Sequence, residues 1–385
     1  MALQFGFCFT VLPFGRDCTV WPRNDLTDRL GLEWPIFQAP MDRVATPALA
    51  AAVGRAGGLG GIGMWGLDSN AARERIDDVR ARGGRGLNVS YPLWPHTGDP
   101  FRTGAGARRA ITAEWESKGL GSRPRPSASI GALPAEHIEV LASARPDVVS
   151  FHFGIENRAV VAELKAAGIT VVASATTVEE ARLVELAGAD VVIAQGLEAG
   201  GHRGTFTGVD ASGQAGLFSL LPQIVDAVEL PVVAAGGIAE GRSIAAAFML
   251  GASAVQIGSA FLRCPEANVP EAYRQVVAEA TDTSTRISHK QSGRPARMIR
   301  NRLFDVLEEV EGAPQPFPTQ LDLTDPLEDA GDADAMLLFA GQSACLARSL
   351  PAADLIAALA QETTERLAQG SPIRRGSISP TSPPE

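Results

Sequence analysis

Cysteine, tyrosine and histidine are scarce in this chain of 385 residues, with four, two and five of each. The cysteines, Cys8, Cys18, Cys264 and Cys345, have no C-x-x-C spacing, so neither a zinc site nor a disulfide framework is indicated and a reducing, cytoplasmic setting is expected. His96, His137, His152 and His289 lack ligand-like spacing, and no metal is expected. Basic residues are outnumbered, 34 against 44 acidic ones, for a net charge of −10. Phosphate neutralisation needs a clustered cationic excess, so nucleic acid is a poor candidate partner and a small soluble substrate the better one. The apolar opening from Leu3 to Phe14 is too short to span a bilayer and has no basic flank of a secretory signal, so no membrane partner is expected. No G-x-G-x-x-G unit stands at a strand-to-helix turn, which argues against a dinucleotide fingerprint.

What the chain does contain is a repeated alternation of short apolar runs with longer amphipathic ones. Eight such runs occur: 35–39, 58–62, 86–89, 148–151, 170–173, 191–194, 232–235 and 254–257. Several are nearly continuous Val, Ile and Ala, as strands buried on both faces should be. Helical patterns separate them, such as Pro47 to Ala56, with Thr46 as N-cap and Pro47 at the first helical position. Eight strand-helix alternations predict an α/β fold, a (β/α)8 TIM barrel. Residues 1–24 read as an N-terminal extension, 25–264 as the barrel and 265–334 as a lid domain inserted after strand eight. Residues 335–370 hold the final barrel helix, and the Ser/Pro-rich 371–385 a disordered tail. Residues 91–127, rich in Pro, Gly, Arg and Trp, predict a long surface connection with one short helix.

Chemistry-bearing residues concentrate at the C-terminal ends of the expected strands. Gly236-Gly237 ends strand seven and Gln256-Ile257-Gly258-Ser259 ends strand eight. Loops after these strands build phosphate sites in this fold, because glycines let backbone N–H groups close around an anion. After strand six comes Gln195-Gly-Leu-Glu-Ala-Gly200-Gly201-His202. An imidazole in so glycine-rich a loop is a candidate acid-base group, with an ordinary pKa of about 6.5. His152, ending strand four, is either structural or part of the site, and Arg294, Arg297, Arg300 and Arg302 form a basic patch that either meets an anionic substrate or caps a helix, with the structural role favoured.

The segments PIFQAPM (35–41), AGGLGGIG (56–63), SFHFG (150–154), TTVEEA (176–181), AQGLEAGGHRGTF (194–206), PVVAAGGI (231–238), QIGSAFLRCPE (256–266), SGRPAR (292–297) and AGQ (340–342) follow one order along the chain. Together they resemble the nitronate monooxygenases, formerly called 2-nitropropane dioxygenases. The resemblance implies non-covalent FMN at the barrel mouth and His202 as the catalytic histidine. It places the backbone of Ala39 to Met41 beside the flavin ring and Asn88, Gln195, Gly200, Gly201, Gly236 and Gly237 against the cofactor. Gln256, Ile257, Gly258 and Ser259 would surround its phosphate. The implied reaction is oxidation of an alkyl nitronate by O2 to a carbonyl compound and nitrite, with a homo-oligomer left open. His202 would serve either as the base for a neutral nitroalkane or, as imidazolium, as the partner of a nitronate anion.

Departures from the family pattern bear on the substrate. Only Tyr91 and Tyr273 are present, Val89-Ser90-Tyr91-Pro92 replaces a more aromatic run, and Phe339 stands where a Trp often precedes AGQ. The nearest rival is an FMN-dependent enoyl-ACP reductase, which shares EAGGH and would require NAD(P)H. A quinone-type NAD(P)H reductase, a family member repurposed for another small substrate and a flavin binder without turnover complete the alternatives.

Overall fold

The computed structural model describes residues 21–93, 105–120, 131–208 and 210–369. Residues 1–20 of the expected extension, the expected tail and parts of the 91–127 connection lie outside the described residues. The strands are β1 (Ile36–Gln38), β2 (Gly60–Gly63), β3 (Leu87–Pro92), β4 (Val148–His152), β5 (Thr170–Ala175), β6 (Val191–Gln195), β7 (Gly201–His202), β8 (Val232–Ala235), β9 (Ala254–Ile257), β10 (Thr285–Ser288) and β11 (Ala296–Ile299). Eight of them form one parallel sheet in the order β1-β9-β8-β6-β5-β4-β3-β2. A parallel bridge between Phe37 and Leu59 brings β1 against the start of β2 and closes the barrel. The predicted (β/α)8 architecture is therefore present.

Strand alternation divides the barrel into two faces. Val89, Val149, Val171, Val192, Ala234 and Val255 point outward into a cluster shared with the surrounding helices. Phe37, Val148, Val172, Val191, Ile193, Val233 and Ala254 form a separate inner cluster. Leu26 and Leu30 join it from the helix Asp25–Leu30, whose N-terminus is held by an Asn24 capping box. That helix plugs the N-terminal end of the barrel. Following the inner face toward the C-terminal ends, the apolar residues give way to Asn88, Ser90, Ser150, His152, Ser174, Gln195 and Gln256. The interior is thus hydrocarbon at the bottom and polar at the mouth.

The cap over the mouth is more composite than a single insertion. The stretch after β9 supplies β10, β11 and the helices Arg302–Glu309 and Thr319–Thr324. Its antiparallel sheet takes β7, from the loop after β6, as third strand, with Ala296 opposite His202 and Arg297 opposite Gly201. The cap's hydrophobic cluster includes Ala107, Ile111 and Trp115 of the helix Ala105–Ser117 and Phe153 from the loop after β4. The helix expected after residue 335 runs Ala352–Ala368 and packs against Pro47–Arg55 and Gly241–Met249.

Candidate active site

His202 sits where the barrel and the cap share a sheet, and it is held from both sides. On the barrel side its carbonyl accepts from Gln195 Nε2 at 3.1 Å and faces His152 Nε2 at 3.3 Å. Gln195 Oε1 accepts from the Gly204 N–H at 2.8 Å, so both ends of that amide clamp the His202 loop. On the cap side His202 Nε2 lies 2.9 Å from Ser292 Oγ. Three phenylalanines surround the imidazole, with ring centroids 6.0 Å (Phe153), 5.0 Å (Phe317) and 5.1 Å (Phe339) away. Trp65 meets Phe317 edge-on at 5.2 Å.

Burial is the main reason that the His202 imidazole is pulled down to about 3, with the Arg294 guanidinium and His152 as further causes. Its neighbour His152 is lowered to about 4, again by burial first and then by Arg294. Both rings are neutral near pH 7, because a charged imidazole there would lose water and face a cation.

The loop carrying His202 is braced by buried charge. Arg203 has a relative exposure of 0% and donates to the carbonyls of Gln195 and Gly196, each at 2.7 Å, and to Gln214 Oε1 at 2.8 Å. Glu180 accepts from Thr205 Oγ1 and the Phe206 N–H, fixing the chain just beyond His202. Arg294 lies over the Phe153 ring at 4.1 Å and donates to the carbonyls of Arg203 and Thr205. Arg297 donates to the Leu197 carbonyl at 3.0 Å, while Arg300 and Arg302 pair with Asp305 and Glu114 at the surface. The expected structural roles of these arginines agree with that arrangement.

Opposite His202, the glycine-rich loops meet around the late AGQ segment. Gly341 N–H donates to Ser259 Oγ at 2.8 Å, Gln342 N–H to the Glu198 carbonyl at 3.0 Å and Ser343 Oγ to the Gly237 carbonyl at 2.7 Å. A Cβ on Gly200 would lie 2.4 Å from Gly341 N, so only glycine admits this approach. Gly236 and Gly237 have φ of 113° and 70°, and Gly201 has 75°. Ala39 and Met41 adjoin Gly258, whose added Cβ would meet Ala39 Cβ and Met41 Sδ at 3.6 Å. Among the described residues nothing accepts from the backbone N–H of Gly237, Gly258, Ser259 or Ala260. Asn88 Oδ1, Ser150 Oγ and Gln256 Oε1 are buried at the same mouth without a hydrogen-bond partner among the described residues. Ile257 is buried in the outward-facing core, so it can offer only its backbone to a ligand.

The family profile described as nitronate monooxygenase matches residues 23–362. The chain belongs to the nitronate monooxygenase family. Nitronate monooxygenase of Pseudomonas aeruginosa is 41% identical over 355 residues, covering 88% of this chain and 99% of that protein. Among solved structures, nitroalkane oxidase from Streptomyces ansochromogenes superposes with a TM-score of 0.82 at 39% identity, covering 90% of this chain and 99% of that one. FabK from Thermotoga maritima is more distant, at a TM-score of 0.70 and 30% identity, covering 90% and 98%. As a family member the chain is an oxidoreductase. No helix among the described residues is long and apolar enough to cross a membrane.

The sequence marks Phe339 as a departure bearing on the substrate, but it does not single out Ser292, Phe153 or Phe317 as site residues. SGRPAR was recognised as a motif without a role for its serine. Nothing local shows that Phe153, Phe317 and Phe339 would meet around one imidazole, since they come from loops whose meeting depends on how the cap docks.

Proposed function

We propose that this chain oxidises alkyl nitronates, and nitroalkanes that it first deprotonates, to carbonyl compounds and nitrite, with FMN as cofactor and O2 as oxidant. One observation carries the reading: a neutral imidazole at the polar mouth of the barrel, walled by apolar rings on its other side. A short alkyl chain fits the rings, and the nitro group fits the polar mouth.

The residues present suit FMN. Unpaired N–H groups of Gly237, Gly258, Ser259 and Ala260 match a phosphate, because successive backbone donors form an anion-binding concavity. Asn88 Oδ1 and Gln256 Oε1 have no donor among the described residues. Ala39, Met41, Gly200, Gly201, Gly236 and the backbone of Ile257 would complete the contacts, while Gln195 would act through the His202 loop that it clamps. Bound FMN would supply the electron acceptor that takes electrons from the nitronate and passes them to O2.

The protein's own residues handle the proton. A neutral His202 has a lone pair available for the α-proton of a nitroalkane and no charge with which to hold an anion. The rings of Phe153, Phe317 and Phe339 exclude water from that transfer.

Anaerobic mixing with a nitronate, and separately with NAD(P)H, while following flavin absorbance tests the reading. Bleaching by the nitronate alone, with FMN released on denaturation, is the expected result. Bleaching by NAD(P)H alone would favour a reductase instead, and release of FAD would overturn the cofactor.

A further inference from the structure

The hydrogen bonds around His202 define which of its nitrogens is available. Ser292 is buried at 0% relative exposure, and its Oγ lies 3.0 Å from the Arg294 carbonyl. A carbonyl only accepts, so the single hydroxyl proton of Ser292 points there. Oγ must then accept from the other neighbour, His202 Nε2, at 2.9 Å. A neutral imidazole carries one N–H, and with that proton on Nε2 the lone pair lies on Nδ1. Nδ1 has no partner among the described residues. The backbone of His202 is fixed, with its carbonyl held by Gln195 and facing His152 and its strand paired with Ala296, and the ring is enclosed by Phe153, Phe317 and Phe339.

We infer that Ser292 is a positioning residue that fixes His202 as the Nε2–H tautomer, so that Nδ1 is the atom that removes the substrate α-proton. The inference rests on the nitroalkane reading above. In the step it serves, the C–H bond breaks, its electron pair enters the C=N bond of the nitronate, and the proton moves to Nδ1. Nε2 keeps its proton throughout and keeps donating to Ser292. The barrel thus supplies the base while the cap selects its tautomer, and the base is fully competent only when the cap is docked. A nitronate supplied ready-made needs no such proton transfer and is much less dependent on Ser292.

His152 provides an internal control. Its Nε2 faces a carbonyl and its Nδ1 faces Ser174 Oγ at 3.1 Å, so it too is the Nε2–H form, but without Ser292.

The test uses FMN-loaded full-length protein labelled with 15N-histidine, as wild type, Ser292→Ala and Ser292→Thr. In the wild type, His202 should show a pyrrole-type Nε2 and a pyridine-type Nδ1. Ser292→Ala should mix the two tautomers at His202 and leave His152 unchanged, and Ser292→Thr should restore the wild-type pattern. With neutral nitroalkanes, kcat of Ser292→Ala should fall about 10- to 100-fold, less than the ~10²–10⁴ expected for removing the base itself. With pre-formed nitronates the loss should be smaller than with nitroalkanes, because no proton is removed from carbon. An Nδ1–H His202 in the wild type, or equal losses on both substrate forms in Ser292→Ala, would overturn the inference. Wild-type protein inactive on both forms would defeat the functional reading, while the tautomer measurement would still decide the role of Ser292.

Discussion

The two walls facing His202 are built on opposite principles. The barrel wall consists of strand ends and glycine turns, with polar atoms and bare N–H groups, and each of its loops is short and contiguous. The cap wall consists of Ser292, Phe153, Phe317 and Phe339, drawn from separate stretches and held by hydrophobic packing and buried arginines. Backbone donors that cannot rotate suit a cofactor that stays in place. Side chains on an assembled cap suit a substrate that enters and leaves, and their identities can change without disturbing the phosphate loops.

The sharpest challenge to that division is His202→Asn, which removes the group shared by both walls. Nitroalkane turnover should drop by about 10²–10⁴ while FMN stays bound. Steady-state rates alongside the flavin spectrum check it, and a colourless variant would show that the cofactor depends on the shared loop.

Phe317→Ala tests the cap wall alone. Deleting this ring, 4% exposed in the cap cluster, should cost about 3 kcal/mol of stability. The nitronate KM should rise while flavin content stays at the wild-type level. Denaturant titration and flavin quantitation separate the two effects, and lost flavin would mean that the walls are not independent.

Gly237→Val tests the barrel wall. With φ at 70°, a β-branched residue carries about 1–2 kcal/mol of backbone strain and places a side chain beside Glu198. FMN occupancy should fall further than stability does. Gly258→Ala should do less, since its φ of −110° suits any residue and its Cβ meets only ordinary contacts. Equal flavin loss in the two variants would place the anion elsewhere.

The smallest effect expected is in acid stability. His202 is held near 3 against an ordinary 6.5, so its contribution is complete above about pH 6.5 and is lost as pH falls toward 3. His202→Gln should therefore lose less stability than wild type between pH 7 and pH 5. Asp42 and Asp325, raised by burial to about 6 and about 7, act in the opposite sense, with their stability lost as pH rises through those values. Comparing the variant with wild type at each pH cancels them, and urea midpoints that shift in parallel would contradict the neutral, buried imidazole.

The barrel was legible because its strands announce themselves within a few residues, as in Val191–Gln195 or Val232–Ala235, and because glycines mark the turns that follow. His202 was legible for the same reason, lying in an unbroken glycine-rich segment. The double duty of Gln195, whose amide clamps the loop at both ends, was not, since nothing in the segment says which way a side chain turns. The composite cap was equally hidden. The insertion was visible after strand eight, but not that it would recruit Gly201–His202 as a sheet strand or Trp115 from the helix Ala105–Ser117.

Local periodicity and turn chemistry are properties of neighbouring residues, so the sequence by itself determined the eight-stranded barrel, its glycine loops and a histidine at the mouth. Which nitrogen of that histidine is open, which rings enclose it and which arginines hold its loop depend on contacts between residues far apart in the chain. Those contacts form only when the cap docks and burial removes water from the imidazole, and the tertiary structure alone decided them.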